Sequence, residues 1–161
     1  LRVLAGPYSE FFSAFAHIIR NAVDHGLESV EERKKAGKDP KGTITVQFSK
    51  RSDWIDIIVQ DDGAGIDPEI IRKRLAEEGK TQFLRKSDQE VIQHIFDSGF
   101  TTNSLISKYS GRGIGLGAVY TSVVKLGGEI KVESQVKKGT RFIISIPEKS
   151  HFTDEKKLKA V

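Results

Sequence analysis

Apolar side chains recur along this chain at two spacings. Over residues 9–25 the spacing is helical: Phe11, Phe15, Ile18 and Ala22 share one face, with Phe12, Ile19 and Val23 beside them. Gly26 supplies a stop. Residues 29–36 predict a short charged helix, ended by Gly37 and Pro40. The period then changes to two. Residues 43–49 place Ile44, Val46 and Phe48 on one side, and residues 54–60 do the same with Ile55, Ile57 and Val59. Helices are predicted over 68–78, where Pro68 suits a first turn, and over 87–97. Residues 98–113 have no period and are rich in Gly, Ser, Thr and Asn, so they predict a long loop, commonly a functional feature in a compact domain. Helical spacing returns over 114–126 through Val119, Val123 and Leu126, until Gly127 and Gly128 break it. Alternation resumes over 129–134 and 140–146, carried by Ile130 and Val132 and then by Phe142, Ile144 and Ile146.

Four alternating strands imply a sheet buried on one face, mixed but mainly antiparallel, with helices laid over that face. The expected class is α+β, a two-layer α/β sandwich. Residues 1–147 are expected to form one domain, and 148–161 a charged tail or the start of a linker. The length, 161 residues, suits a single domain. Hydrophobic residues at 37% and charged residues at 30% fit a soluble folded protein. The absence of cysteine excludes disulfides and thiolate zinc sites and permits a reducing compartment. Apolar runs fall far short of the ~18 residues of a membrane helix, so a cytoplasmic location without membrane insertion is expected. Methionine is absent even at position 1, so the chain is expected to be part of a longer protein. A net charge of +4 suits an anionic partner. Acidic residues are interspersed, however, and no basic patch interleaves with aromatics, so nucleic acid is not expected.

Three polar clusters interrupt these patterns. His17, Asn21, Asp24 and His25 share one side of the first helix. Polar groups on a core-packing helix cost free energy unless satisfied, and the Asn21 oxygen could serve a hard cation such as Mg²⁺. A solvent-facing polar edge explains the same residues. Asp61, Gly63, Gly65 and Ile66 follow a strand. A carboxylate there could accept from an exocyclic amine such as adenine N6, with glycines letting a flat ring approach. Ordinary turns use the same residues. Gly111, Gly113 and Gly115 lead the long loop into a helix, where free N–H groups attract phosphate. The run Gly79-Lys80-Thr81 is no P-loop, because Arg74 stands where the first glycine belongs.

Taken in order, these clusters resemble the boxes of the ATPase superfamily that unites histidine kinases, gyrase, heat-shock chaperones and mismatch-repair proteins. Residues 17–26 resemble the N box, and 61–66 the D-x-G-x-G box. Ile95-Phe96 with Gly99-Phe100-Thr101-Thr102 resembles the F box of histidine kinases. Ser110-Gly111-Arg112-Gly113-Ile114-Gly115-Leu116 resembles the second glycine box, and Gly139-Thr140-Arg141-Phe142 the closing G-T-x-F. The resemblance covers about residues 3–147 and is closest to the chemotaxis-type branch. Ser98 in place of a proline before Gly99, and Gly115-Leu116-Gly117, depart from that branch's usual pattern.

The resemblance implies a Bergerat-type ATP-binding fold in a two-component histidine kinase. Its cofactors would be ATP and Mg²⁺. Asn21 would hold the metal, and Asp61 would hold adenine N6 in a pocket shaped by Gly63, Gly65 and Ile66. Thr140 would support the adenine side. Asp24 and His25 would belong to the nucleotide-facing N box. Phe100, Thr101, Thr102 and Ser110 to Leu116 would form the lid and phosphate-facing segment. The water-activating relatives carry a glutamate four residues before the N-box asparagine. His17 stands there, as in chemotaxis-type kinases, which implies phosphoryl transfer over hydrolysis, with His17 assisting or orienting the acceptor. The implied partners are a histidine-containing phosphoacceptor domain, in the same protein or in trans, a dimerisation domain and a response regulator. A hydrolysing conformational module and a non-catalytic nucleotide sensor are the other readings.

Overall fold

The computed structural model describes residues 5–97 and 115–148, with side chains from Tyr8 onward. Helix α1 runs from Ala5 to Asn21 and begins earlier than its apolar period predicts. It then widens into a single π turn, Ala22–Gly26, closed by the Leu27 N–H on the Ala22 carbonyl at 2.9 Å. Helix α2 (Val30–Lys35) starts at a reciprocal cap, in which Ser29 accepts from the Glu32 N–H and Glu32 accepts from the Ser29 N–H. Strands β1 (Ile44–Arg51) and β2 (Trp54–Asp61) form a hairpin. Helix α3 (Pro68–Glu77) is capped by Asp67 and opens with Pro68. Helix α4 (Asp88–Ile92) tightens into a 3₁₀ turn over Gln93–Phe96, so the expected single helix is split. Helix α5 (Gly115–Lys125) and strands β3 (Glu129–Gln135) and β4 (Gly139–Pro147) complete the described chain.

The sheet order is β1-β2-β4-β3, and every described pairing is antiparallel. Placing β4 beside β2 brings Gln60 opposite Arg141, which sets Asp61 against Thr140. One face is buried. Ile55, Ile57, Val59, Phe142 and Ile144 pack there against Phe11 and Ile18 of α1, Ile71 and Leu75 of α3, and Val119 and Val123 of α5. Each such side chain contributes roughly 1.5–3 kcal/mol on burial. Strand β1 departs from its pattern: Val46 and Phe48 remain 40% and 49% exposed. Phe15 of α1 reaches Phe48, with ring centroids 6.4 Å apart, but the row is not sealed.

The opposite edge is closed by side chains. Gln93 Nε2 donates to the Val132 carbonyl at 2.7 Å, while Gln93 Oε1 accepts from the Val132 N–H at 3.2 Å. Gln89 Nε2 donates to the Ser134 carbonyl at 3.1 Å. One primary amide thus mimics a neighbouring strand and occupies an edge that would otherwise pair with another chain. Replacing Gln93 by Ala should cost about 1–3 kcal/mol in urea unfolding. Gln93→Glu should be more damaging at pH 7 than at pH 4, because only the protonated acid offers the Val132 carbonyl a hydrogen. Equal costs at both pH values would contradict the two-way bond.

Candidate functional site

Asp61 ends β2 with only 5% of its surface exposed. Its Oδ1 accepts from the Gly63 N–H at 2.9 Å and the Thr140 N–H at 3.3 Å. Its Oδ2 has no hydrogen-bond partner among the described residues, although the residue lines a cavity. Burial pushes this carboxyl above its ordinary value, and the two N–H bonds only partly oppose the rise.

Glycines allow that burial. A Cβ on Gly63 would collide with the Gly26 carbonyl, and one on Gly139 with the Asp61 carbonyl. Gly65, at φ +73°, lies against the Gln135 carbonyl. Ala64 joins the same segments: its N–H donates to Gly26 O at 2.7 Å, and its carbonyl accepts from the Lys137 N–H at 2.6 Å. Gly63 and Gly65 therefore serve backbone-to-backbone approach, where the sequence suggested room for a flat ring. The π turn belongs to this arrangement, because it carries the Gly26 carbonyl to Ala64.

The cavity has a volume of about 250 Å³. Seven of the expected site residues line it: Asn21, His25, Asp61, Gly65, Ile66, Leu116 and Thr140. Ile70, Ile71, Ile95 and Phe142 supply apolar walls. Gly115 faces the N-box helix, since a Cβ there would lie 3.9 Å from Asn21 Nδ2 and 4.0 Å from His17 Cβ. His17 is half-buried one turn before Asn21 and is not part of the lining. Asp24 is exposed on the π turn, also outside the lining. Phe100, Thr101, Thr102, Ser110, Gly111, Arg112, Gly113 and Ile114 lie outside the described residues. Among the described residues no group of three or more His, Asp or Glu side chains is placed to hold a metal ion. Asn21 offers a single amide oxygen, which suits a cation that keeps its other ligands from phosphate and water.

Two supports escaped the sequence patterns. Arg33, 1% exposed, pairs with Glu28 at 3.1 Å and Asp62 at 2.9 Å, and its Nε donates to the Asp39 carbonyl at 2.6 Å. Lys38 pairs with Glu28 at 2.6 Å. Burial alone would raise Asp62, but the Thr43 N–H and the Arg33 guanidinium outweigh it and hold its carboxyl below the ordinary value. Alternating residue types had marked this region only as a charged helix and a turn. The second support is Ser134, on the core face of β3. Its Oγ accepts from the Ile66 N–H at 2.8 Å and donates to the Gly139 carbonyl at 2.9 Å. A serine has one hydrogen, so Thr140 Oγ1 is the donor in the 3.1 Å contact with Ser134. A polar residue continuing the Ile130–Val132 row was the available signal.

The raised Asp61 carboxyl has a thermodynamic consequence. With the folded pKa above the unfolded one, the folded protein holds more protons in that window, and stability falls as pH rises through it. Asp61→Asn keeps an oxygen for both N–H groups and removes the buried charge. Its melting temperature should exceed the parent's by roughly 2–5 °C at pH 7. The gap should close as pH falls below 3.8, the ordinary aspartate value. A lower melting temperature at pH 7 would contradict this account.

The sequence and the fold both have known counterparts. Chemotaxis protein CheA of Borreliella burgdorferi is 46% identical over 132 residues, covering 81% of this chain and 15% of that protein. Chemotaxis protein CheA of Listeria monocytogenes is 40% identical over 141 residues, covering 86% of this chain and 23% of that protein. This chain therefore spans only a small part of the curated relatives it matches. The departures at Ser98 and Leu116 do not separate it from chemotaxis proteins. The catalytic domain of the histidine kinase ThkA, in a nucleotide-free form, shares the fold with a TM-score of 0.54 at 21% identity, over 92% of this chain and 71% of that one. Residues 9–150 match the family described as histidine kinase-, DNA gyrase B- and HSP90-like ATPase, and the chain belongs to that family.

Proposed function

We propose that residues 1–147 are the ATP-binding catalytic unit of a two-component histidine kinase, which passes the γ-phosphoryl group of ATP to a histidine on a separate phosphoacceptor domain. The observation that carries this reading is the cavity shared by Asp61 and Asn21. At about 250 Å³ it is below the ~300–1,000 Å³ of a pocket for a whole drug-sized ligand. It suits a base, with the phosphates continuing toward Gly115. Asp61 Oδ2 accepts from adenine N6. Ile66, Ile71 and Phe142 sandwich the ring, while Gly65 and Thr140 close its edge. His25 and Leu116 border the way to the phosphates, and Asp24 stands on the outer side of the same turn.

On the family resemblance, the glycines at 111, 113 and 115, with Ser110, Arg112 and Ile114, would serve the phosphates, and Phe100, Thr101 and Thr102 would belong to the lid. Asn21 supplies the protein's oxygen to Mg²⁺, which when bound neutralises charge on the phosphate oxygens. Phosphoryl transfer asks little covalent chemistry of the protein, so holding the nucleotide in line with its acceptor is the main task. His17, one turn from Asn21, orients that acceptor. A dimerisation domain and a response regulator complete the signalling path, in the cytoplasm. Among the described residues no helix is long and apolar enough to cross a membrane. A hydrolysing module of the gyrase or chaperone kind is the second reading. It is disfavoured by His17 at the position of that group's water-activating glutamate.

Two experiments test this. Asn21→Ala should abolish Mg²⁺-dependent ATP binding in calorimetry, and unchanged Mg-ATP affinity would remove Asn21 from the metal site. Mixing the protein with histidine-containing domains and γ-labelled ATP should put acid-labile label on a partner. Phosphate release without a labelled partner would favour the hydrolysing module.

A further inference from the structure

Arg33 and Lys38 lie outside the cavity, yet both reach the turn that bears Asp61. Arg33 Nη1 donates to the Asp62 carbonyl at 3.2 Å, and Lys38 Nζ donates to the same oxygen at 2.9 Å. Lys38 Nζ also donates to the Gly63 carbonyl at 2.7 Å. The Asp62 carbonyl belongs to the peptide whose N–H, that of Gly63, holds Asp61 Oδ1 at 2.9 Å. The next peptide, with its carbonyl on Lys38, sends the Ala64 N–H to Gly26 at 2.7 Å. In each unit a cation sits at the oxygen end and an acceptor at the hydrogen end.

Such a chain polarises itself. A cation at a peptide oxygen draws electron density from the nitrogen and strengthens the N–H as a donor, by roughly 10–30% per bond in condensed phase. Glu28 balances both cations, at 3.1 Å from Arg33 and 2.6 Å from Lys38, and Asp62 Oδ2 occupies Arg33 Nη2. The cluster therefore carries no net charge, and its effect on Asp61 runs through the peptide rather than as a long-range field.

We propose that Arg33 and Lys38 are positioning residues for nucleotide recognition, acting through the Asp62–Gly63 peptide to fix Asp61 Oδ1 and leave Oδ2 aimed at the 6-amino group of a purine. This rests on the adenine reading of Asp61 given above, and it adds specificity determinants that touch no ligand. It gives the charged segment after the N box a role: α2 and the turn that follows carry the cations to the back of the recognition turn. It also explains why Arg33 is buried with five donor contacts, where a solvated helix face would have served for solubility alone.

The test uses Lys38→Met, Lys38→Arg and the parent protein, with ATP and with purine riboside triphosphate, which lacks the 6-amino group. The parent should prefer ATP by about tenfold or more, the strength of a hydrogen bond to a charged acceptor. Lys38→Met should reduce that preference to about threefold or less, and Lys38→Arg should restore it. A role confined to stability would weaken both nucleotides equally, and that result overturns the proposal. Without nucleotide, the Gly63 amide proton should move upfield in Lys38→Met, and an unmoved resonance also overturns it. If the parent shows no ATP preference while the Gly63 resonance moves, the adenine reading fails and the polarised peptide stands. Should Lys38→Met not fold, Arg33→Lys carries the same measurements, because it keeps the charge and loses the fork.

Discussion

A buried carboxylate without an opposite charge at its own oxygens is costly, and Asp61 is held in that state by backbone alone. Two N–H groups hold one of its oxygens, and the other lies in a residue that borders the cavity. To bring those N–H groups within reach, the end of β2, the end of the π turn and the β3–β4 hairpin must approach at distances no side chain tolerates. Glycines 63, 65 and 139 stand at those contacts. The sheet order serves the same end, since only a β4 inserted between β2 and β3 puts the Thr140 N–H beside Asp61. The cavity is thus a by-product of backbone convergence, and Asp61 Oδ2 is the carboxylate oxygen that convergence leaves without a partner among the described residues.

Asp61, the last residue of β2, and Asp62, just beyond it, divide two tasks. Asp61 faces inward with its carboxyl raised by burial, and Asp62 faces the Arg33–Lys38–Glu28 cluster with its carboxyl lowered. The first leaves one oxygen without a hydrogen-bond partner among the described residues. The second spends its capacity on structure, accepting from Thr43 and Arg33 and so locking the turn. Two identical side chains acquire different chemistry from which neighbours reach them.

Much of this was legible in the sequence. Period-two and helical spacing located the four strands and the main helices to within a few residues, because one-sided burial imposes those periods directly. Of the polar clusters, Asn21, His25, Asp61, Gly65 and Ile66 fall on the cavity, where close backbone approach needs glycine. What stayed hidden shares one physical cause: it depends on groups that meet only in three dimensions. The roles of Arg33 and Lys38 were not visible, since nothing local distinguishes a cation facing water from one bonded to a carbonyl twenty-odd residues away. Gln93 fell inside a predicted helix, with nothing to show that its amide completes β3. The π turn was hidden too, as widening a helix by one residue per turn leaves its apolar pattern almost unchanged. Asp24, in phase with Asn21 on an ideal helix, is exposed outside the cavity lining as a result.

The two rims of the sheet are finished differently, and this gives the domain a handedness for assembly. At β3 the glutamine amides already stand where an added strand would dock. At β1 no described segment bonds to the outer side, and Val46 and Phe48 are left partly bare beside it. Among the described residues, the rim left open to an added strand is therefore β1, on the flank where Phe15 of α1 meets Phe48.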